Sequence, residues 1–102
     1  MESDRALSML GLAARAGKTP SGEFAVEKSI RSGKARLVLL AADSSENTRK
    51  KFTQMCEFAR IPLLLYSDKE KLGAAIGKDL RSSVAIEDEN LALAVQRKIS
   101  MS

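Results

Sequence analysis

The chain has 102 residues, of which 44% are apolar, so residues 1–102 are expected to form one folded domain rather than two domains or a disordered chain. Histidine is absent and cysteine occurs once, which argues against a histidine-dependent hydrolase, a structural zinc site and an intrachain disulfide. The longest apolar runs are too short to cross a bilayer and the N-terminus lacks the basic opening of a signal peptide, so we expect a cytoplasmic protein with no membrane partner.

The first third of the chain predicts two helices joined by a short extended piece. Apolar residues recur at three- and four-residue steps within residues 4–16, which predicts a helix that Gly17 ends. Residues 18–20 are predicted to be extended. Ser21 is a suitable N-cap for a second helix, which runs to about residue 32 and ends at Gly33.

The rest of the chain alternates between strands and helices. Buried strands are predicted over residues 36–42, 61–66 and 83–86. Helices are predicted over 45–60, from Ser67 or Asp68 to about Gly77, and over 88–99, with residues 78–82 as a loop. This alternation predicts an α/β fold in which helices cover both faces of a central sheet, a three-layer α/β/α sandwich.

Two features that can carry chemistry have structural interpretations. Glu87-Asp88-Glu89 is the densest group of carboxylates, but it stands where the last helix begins, and acids are favoured at helix N-termini without any catalytic role. Cys56 has apolar neighbours at helical spacing, which predicts a small core residue, with a reactive thiol as the alternative. We therefore predict no enzyme activity, no metal and no cofactor.

The positive charge is concentrated in one part of the sequence. The net charge is +4, and the stretch from Arg15 to Lys51 contains more than this excess. A local positive field attracts phosphate backbones. A solvated basic face without a partner explains the charge equally simply.

The second predicted helix combines a glycine start with an aromatic and basic face. Val26 and Ile30 share one face and are expected to pack on the sheet, whereas Phe24 and Lys28 lie on the opposite side, close to Arg31. Gly22 stands at the start, where free backbone N–H groups suit a phosphate. The arrangement suits structured RNA, which presents unstacked bases and phosphates. Alternatively, Phe24 tucks under the first helix, and the two cations are solvated or paired with Glu27.

Two further segments are candidates for the same surface. Leu80 is an apolar residue in a polar loop, flanked by Lys78 and Arg81. It is either a wedge against extruded bases or a cover for the edge of the core. In the strand-to-helix turn over residues 42–47, Asp43 and Ser44 are interpreted as caps.

Taken in order, several stretches resemble the kink-turn-binding ribosomal protein family often called L7Ae, and most closely its small bacterial YlxQ-like branch. The resemblance covers nearly the whole chain, and no single stretch carries it alone. The stretches are Leu10–Lys18, Ser21–Glu23, Ile30–Ala41, Asp43–Thr48, Lys71–Gly73 and Ser83–Ile86.

The resemblance implies a mixed four-stranded sheet and a non-catalytic RNA-binding role, with a monomer binding structured RNA such as ribosomal RNA. It implies that the second helix enters the widened groove of a kink-turn, where sheared G·A pairs display their edges. The expected roles are a binding edge of Gly22, Glu23, Phe24 and Lys28, phosphate contacts from Arg15, Lys18 and Lys34, and a loop with Lys78, Leu80 and Arg81 over extruded bases.

This chain also departs from the family pattern at the base-reading positions. Archaeal and eukaryotic members open the second helix with glycine, any residue, asparagine and glutamate, whereas Phe24 and Ala25 stand at the last two positions here. A glutamate of the strand-to-helix turn falls on Ala42, and Glu23 is a candidate replacement for the lost acceptor. A second hypothesis is therefore a protein-interaction module on the same fold, with a decayed RNA edge.

Overall fold

The computed structural model describes residues 4–101 and folds them into five helices and three strands. The predicted domain limits at residues 1 and 102 lie outside this range. Each helix and strand overlaps a predicted one. In chain order they are α1 (Arg5–Arg15), α2 (Glu23–Arg31), β1 (Leu37–Leu40), α3 (Glu46–Ala59), β2 (Leu63–Leu65), α4 (Lys69–Ala75), β3 (Ser83–Ile86) and α5 (Glu89–Ser100).

Four helices begin at a side chain that caps the first turn. The carboxylates of Asp4, Asp68 and Asp88 each accept a hydrogen bond from the backbone N–H three residues further on. Ser45 Oγ accepts the equivalent bond at α3. Each cap satisfies a backbone donor that has no partner inside the helix, which fixes where the helix starts.

The second helix begins differently. Gly22 is its N-cap, and no side chain caps the helix. The prediction that Ser21 is the cap is wrong, because Ser21 lies one residue before the cap position and forms an isolated antiparallel bridge with Val84 of β3. A tertiary contact therefore replaces the local one that the sequence favoured.

The sheet is mixed, as expected, but within residues 4–101 it has three strands in the order β2-β1-β3. Strand β1 runs parallel to β2 and antiparallel to β3. The expected fourth strand is wrong. The carbonyl of Pro20 accepts a hydrogen bond from Ala85 of β3, and the carbonyl of Lys18 accepts one from Glu87 just after that strand. Proline has no N–H to donate in return, so the segment forms one bridge and no continuous ladder.

Strand β2 differs from the prediction in burial. It was expected to be buried on both faces over residues 61–66, but only Leu63–Leu65 is a strand, and Leu65 is 50% exposed. The reason is its position at the edge of the sheet, where one side has no neighbouring strand.

Two apolar clusters lie on opposite faces of the sheet, which confirms the three-layer arrangement. Along β1, Leu37 and Leu39 belong to one cluster with α1, α4 and α5, whereas Val38 and Leu40 belong to the other with α2 and α3. This alternation is the two-residue period of a strand. Burial on both faces explains why all four residues of β1 are apolar.

Cys56 is part of the core between α3 and the sheet, which confirms the first interpretation of this residue. It is 1% exposed and packs in the same cluster as Phe52. Burial raises the pKa of its thiol to about 11, so the reactive thiolate is disfavoured near neutral pH.

Tyr66 joins the end of β2 to the start of α1. Its hydroxyl donates a 2.7 Å hydrogen bond to Asp4 Oδ2, and partial burial together with this contact raises its pKa to about 12. The unfolded chain ionises near pH 10, so the contribution of Tyr66 to stability is present below pH 10 and is lost as the pH rises towards 12.

We expect Tyr66→Phe to lower the free energy of unfolding by roughly 0.5 kcal/mol at pH 8, near the low end for a hydrogen bond because this one is exposed to solvent. The difference from the unaltered protein should shrink above pH 10. Tyr66 is the only tyrosine and there is no tryptophan, so tyrosinate absorbance reports its ionisation directly. A native midpoint near 10 would contradict the assigned contact.

Three helices begin at the same end of the sheet. Helix α3 follows the end of β1 and α4 follows the end of β2, while Gly22 N–H donates to the carbonyl of Ser83 at the start of β3 and places α2 beside them. The N-termini of α2, α3 and α4 therefore surround one edge of the fold.

Candidate nucleic-acid interface

A groove lies at this edge, between the first turn of α2 and the segment that leads into β3. It has a volume of about 610 Å³ and is open to solvent. It is lined by Ser21–Ala25, Thr48 of α3 and Leu80–Ser83. The groove brings together two segments that the sequence identified separately, the start of the second helix and the Leu80 loop.

Gly22 gives the groove its open wall. Its backbone has φ 88° and ψ 160°, a conformation that is essentially restricted to glycine. A Cβ atom at this position would meet nothing within 4 Å. The space beside Gly22 is therefore free for a ligand backbone to approach the uncapped start of α2, where the helix dipole favours a negative group.

The outer face of α2 carries an exposed ring and an unpaired cation. Phe24 is 84% exposed, so it does not tuck under α1. Within residues 4–101 Lys28 has no ion-pair partner, whereas Arg31 lies 3.0 Å from Glu27. Phe24 and Lys28 therefore lie on a face that the core does not use, as predicted, whereas Arg31 pairs with Glu27, as the alternative interpretation expected.

Leu80 and Arg81 form the opposite side of the groove. Leu80 is 60% exposed, so it does not serve as a cover for the core. Arg81 Nε donates a 3.0 Å hydrogen bond to Ser21 Oγ, and its Nη1 donates to the carbonyl of Leu80. Arg81 thus connects the two sides of the groove, while Lys78 lies exposed earlier in the loop.

The loop before β3 packs closely against Gly73 of α4, and this contact fixes its position. A Cβ atom at Gly73 would lie 1.4 Å from the carbonyl oxygen of Asp79. Lys78 N–H donates to the Gly73 carbonyl, and Arg81 N–H donates to the Lys69 carbonyl. These backbone contacts set the position at which Leu80 and Arg81 meet α2.

Glu23 lines the groove, and its carboxylate also has a partner outside α2. Glu23 Oε2 lies 3.7 Å from Lys51 Nζ on α3, and Glu27 Oε1 lies 2.6 Å from the same nitrogen. The hydrogen bond from Lys51 lowers the pKa of Glu27, and the same bond raises the pKa of Lys51. Sequence reasoning missed Lys51, because no local pattern indicates that it reaches α2.

Three predicted phosphate-binding residues lie away from the groove. Glu87 N–H donates to the carbonyl of Lys18, which places Lys18 at the end of β3 opposite to Ser83. Arg15 is the last residue of α1, three positions before Lys18 in the chain. Lys34 follows the C-terminus of α2, and the nine residues of that helix separate it from Gly22 by roughly 14 Å. The structure does not bring these residues together with Phe24 and Leu80.

One hydroxyl group that lines the groove, that of Ser83, was not singled out from the sequence as a site residue. Ser83 is 1% exposed, and its Oγ has no hydrogen-bond partner within the described residues.

Ser44 Oγ is also buried and has no hydrogen-bond partner within the described residues, which corrects its interpretation as a cap. Asp43 caps no part of α3; its Oδ1 accepts a hydrogen bond from Lys69 N–H at the start of α4.

Two features are absent from residues 4–101. No group of three or more acidic or cysteine side chains is arranged to hold a metal ion. None of the helices is both long and apolar enough to cross a membrane.

Comparison with known families gives a match over most of the chain. The ribosomal protein L7Ae/L30e/S12e/Gadd45 family model matches residues 4–95. The chain is 45% identical over 84 residues to the RNA-binding protein YlxQ of Bacillus subtilis (strain 168), which covers 82% of this chain and 84% of that protein.

An archaeal relative and a solved structure extend the comparison. The large ribosomal subunit protein eL8 of Thermoplasma volcanium is 32% identical over 87 residues, covering 84% of this chain and 72% of the relative. A protein of unknown function from Bacillus halodurans has a structure that matches with a TM-score of 0.93 and 34% identity, covering 96% of this chain and 99% of that chain.

Proposed function

Because the chain belongs to the ribosomal protein L7Ae/L30e/S12e/Gadd45 family, we propose that it binds structured RNA with a kink-turn-like bend, without catalysing a reaction. Its place of action is the cytoplasm, as a monomer associated with ribosomal RNA or another RNA of translation. The observation that carries the proposal is the groove, where the uncapped start of α2 and exposed Phe24 face Leu80 and Arg81. The names of the relatives, an RNA-binding protein and a ribosomal protein, support it.

In this proposal the residues at or near the groove contact the bend of the RNA, and the residues far from it contact only a longer RNA. Gly22, Glu23, Phe24 and Lys28 form the binding edge, and Lys78, Leu80 and Arg81 close over nucleotides that leave the stack. The free N–H groups of the first turn of α2 and the open space beside Gly22 suit a phosphate, and an exposed ring suits an unstacked base. An RNA must extend to the C-terminal end of α2 for its phosphates to contact Arg15, Lys18 and Lys34.

The test is a titration of labelled kink-turn RNA against a duplex of equal length in moderate salt. We expect the kink-turn RNA to bind clearly more tightly, while the duplex binds with the nonspecific Kd of roughly 10⁻⁴ M or weaker. Equal affinity for both RNAs would remove the kink-turn from the proposal. No binding of either RNA above that level would favour the protein-interaction module instead.

Lys28 gives a residue-level prediction of the same proposal. Lys28→Ala should reduce the salt slope of binding by about one, because one phosphate contact is lost. The matched control is Arg97→Ala, which removes an exposed cation from α5 on the other side of the sheet and should leave the slope unchanged. An unchanged slope in Lys28→Ala would place Lys28 outside the interface.

A further inference from the structure

The ion pairs of residues 4–101 form a single cluster between α2 and α3. Lys51 Nζ of α3 lies 2.6 Å from Glu27 Oε1 and 3.7 Å from Glu23 Oε2. Glu27 also receives Arg31 of its own helix at 3.0 Å. Lys51 is therefore the cation that reaches both carboxylates of α2 from outside that helix.

The cluster separates α2 into two stripes along its exposed surface. Glu23 and Glu27 are four residues apart and meet α3 through Lys51, whereas Phe24 and Lys28 are four residues apart and have no such contact. Residues at this spacing lie above one another on a helix. The acidic stripe thus runs directly beside the stripe proposed to contact RNA.

The charge balance of α2 depends on Lys51. Within the helix two acids offset two bases, so α2 alone presents no net charge to a phosphate backbone. Glu23 lines the groove and is only partly covered, with 62% of its side chain exposed. A phosphate that binds in this groove would lie within about one Debye length, ~8 Å, of that carboxylate, so salt would screen their repulsion only in part.

We propose that Lys51 is a positioning residue for RNA binding: it holds and neutralises Glu23 and Glu27, so that phosphates can approach Lys28 and the start of α2. This inference rests on the proposed function. It assigns Lys51 an effect through the two carboxylates rather than through a phosphate contact of its own. It also explains how a helix that begins with an acid at its first position serves as an RNA-binding edge.

The experiment compares RNA affinity in four proteins: the unaltered chain, Lys51→Met, Glu23→Gln with Glu27→Gln, and all three changes together. Lys51→Met should weaken binding about fivefold, the scale of one exposed ion pair. Lys51→Met should weaken binding far less when the glutamine pair is present than in the unaltered chain, whatever effect the pair has by itself. Lys50→Met is the matched control, because Lys50 is the adjacent exposed lysine of α3 and has no ion pair within the described residues.

Each alternative gives a different result. If Lys51 contacts a phosphate directly, the glutamine pair changes affinity by the same factor in the unaltered chain and in Lys51→Met. Lys51→Met then also lowers the salt slope of RNA binding by about one. This outcome would overturn the inference while leaving the proposed function intact. Without RNA, carboxyl NMR titration should show the Glu27 pKa rising in Lys51→Met, and an unchanged pKa would also overturn it. If the unaltered chain showed no preference for kink-turn RNA over the duplex, the proposed function and the inference would be overturned together.

Discussion

Replacing Gly73 by alanine is expected to destabilise the protein strongly and to weaken RNA binding, although alanine is the better helix former. In an exposed helix the substitution is favourable by about 1 kcal/mol. Here the added Cβ would lie 1.4 Å from the Asp79 carbonyl oxygen and 2.6 Å from its carbonyl carbon. Both are backbone atoms, so the loop before β3 has to move.

We expect Gly73→Ala to lower the free energy of unfolding by roughly 2 kcal/mol, as for other overpacked sites, and Tm by about 10 °C. Displacement of Leu80 and Arg81 should also weaken RNA binding at a temperature where the variant is folded. Gly11→Ala is the control, because that helical glycine is 3.2 Å from a single backbone oxygen of Ala75 and should change stability far less. Full stability of Gly73→Ala, measured by thermal unfolding, would show that the loop is not fixed by this contact.

Gly22→Ala is expected to have the second large effect, for a different physical reason. Its Cβ would have open space, so crowding within the protein plays no part. The cost comes from the backbone, because φ 88° and ψ 160° fall in a region that costs an L-residue about 1–3 kcal/mol. Either the strain is retained or the start of α2 shifts away from Ser83.

Because Gly22 lines the groove, we also expect Gly22→Ala to weaken RNA binding roughly tenfold, equivalent to about 1.4 kcal/mol. Gly33→Ala is the matched control: Gly33 has φ 76° and equally open space, but it lies at the opposite end of α2. Both variants should unfold at lower denaturant concentration, and only Gly22→Ala should lose affinity. Similar losses of affinity in both would indicate a general effect of stability rather than a contact at Gly22.

Features set by local contacts could be predicted from the sequence. Asp68, one of the two predicted starts of its helix, caps α4, and β1 is apolar on both faces because both are covered. The pattern failed where a distant segment decides the outcome. Ser21 is a good cap by residue type, but it is drawn into a bridge with β3, and β2 is equally apolar but lies at the sheet edge.

The candidate site was predictable to the same extent. Helical spacing alone placed Phe24 and Lys28 on a face away from the core, as the structure has them. Lys34 was included in the predicted surface for its charge, but charge gives no information on distance. The length of α2 separates Lys34 from the start of that helix. Lys51 was out of reach because its partners lie 24 and 28 residues earlier in the chain, beyond any periodic pattern.

The contacts of Arg81 have a consequence for how binding proceeds. Its side chain is bonded to Ser21 on the facing wall, and its backbone is bonded to α4, so the two walls are held at a set separation before any ligand arrives. Because the site is already formed, association costs the protein little conformational entropy. In the proposed binding of a kinked RNA, the bending must then come from the RNA, and the apparent affinity should scale with the fraction of RNA molecules already kinked in solution. Ions that fold the RNA should therefore strengthen binding even though they weaken each phosphate contact.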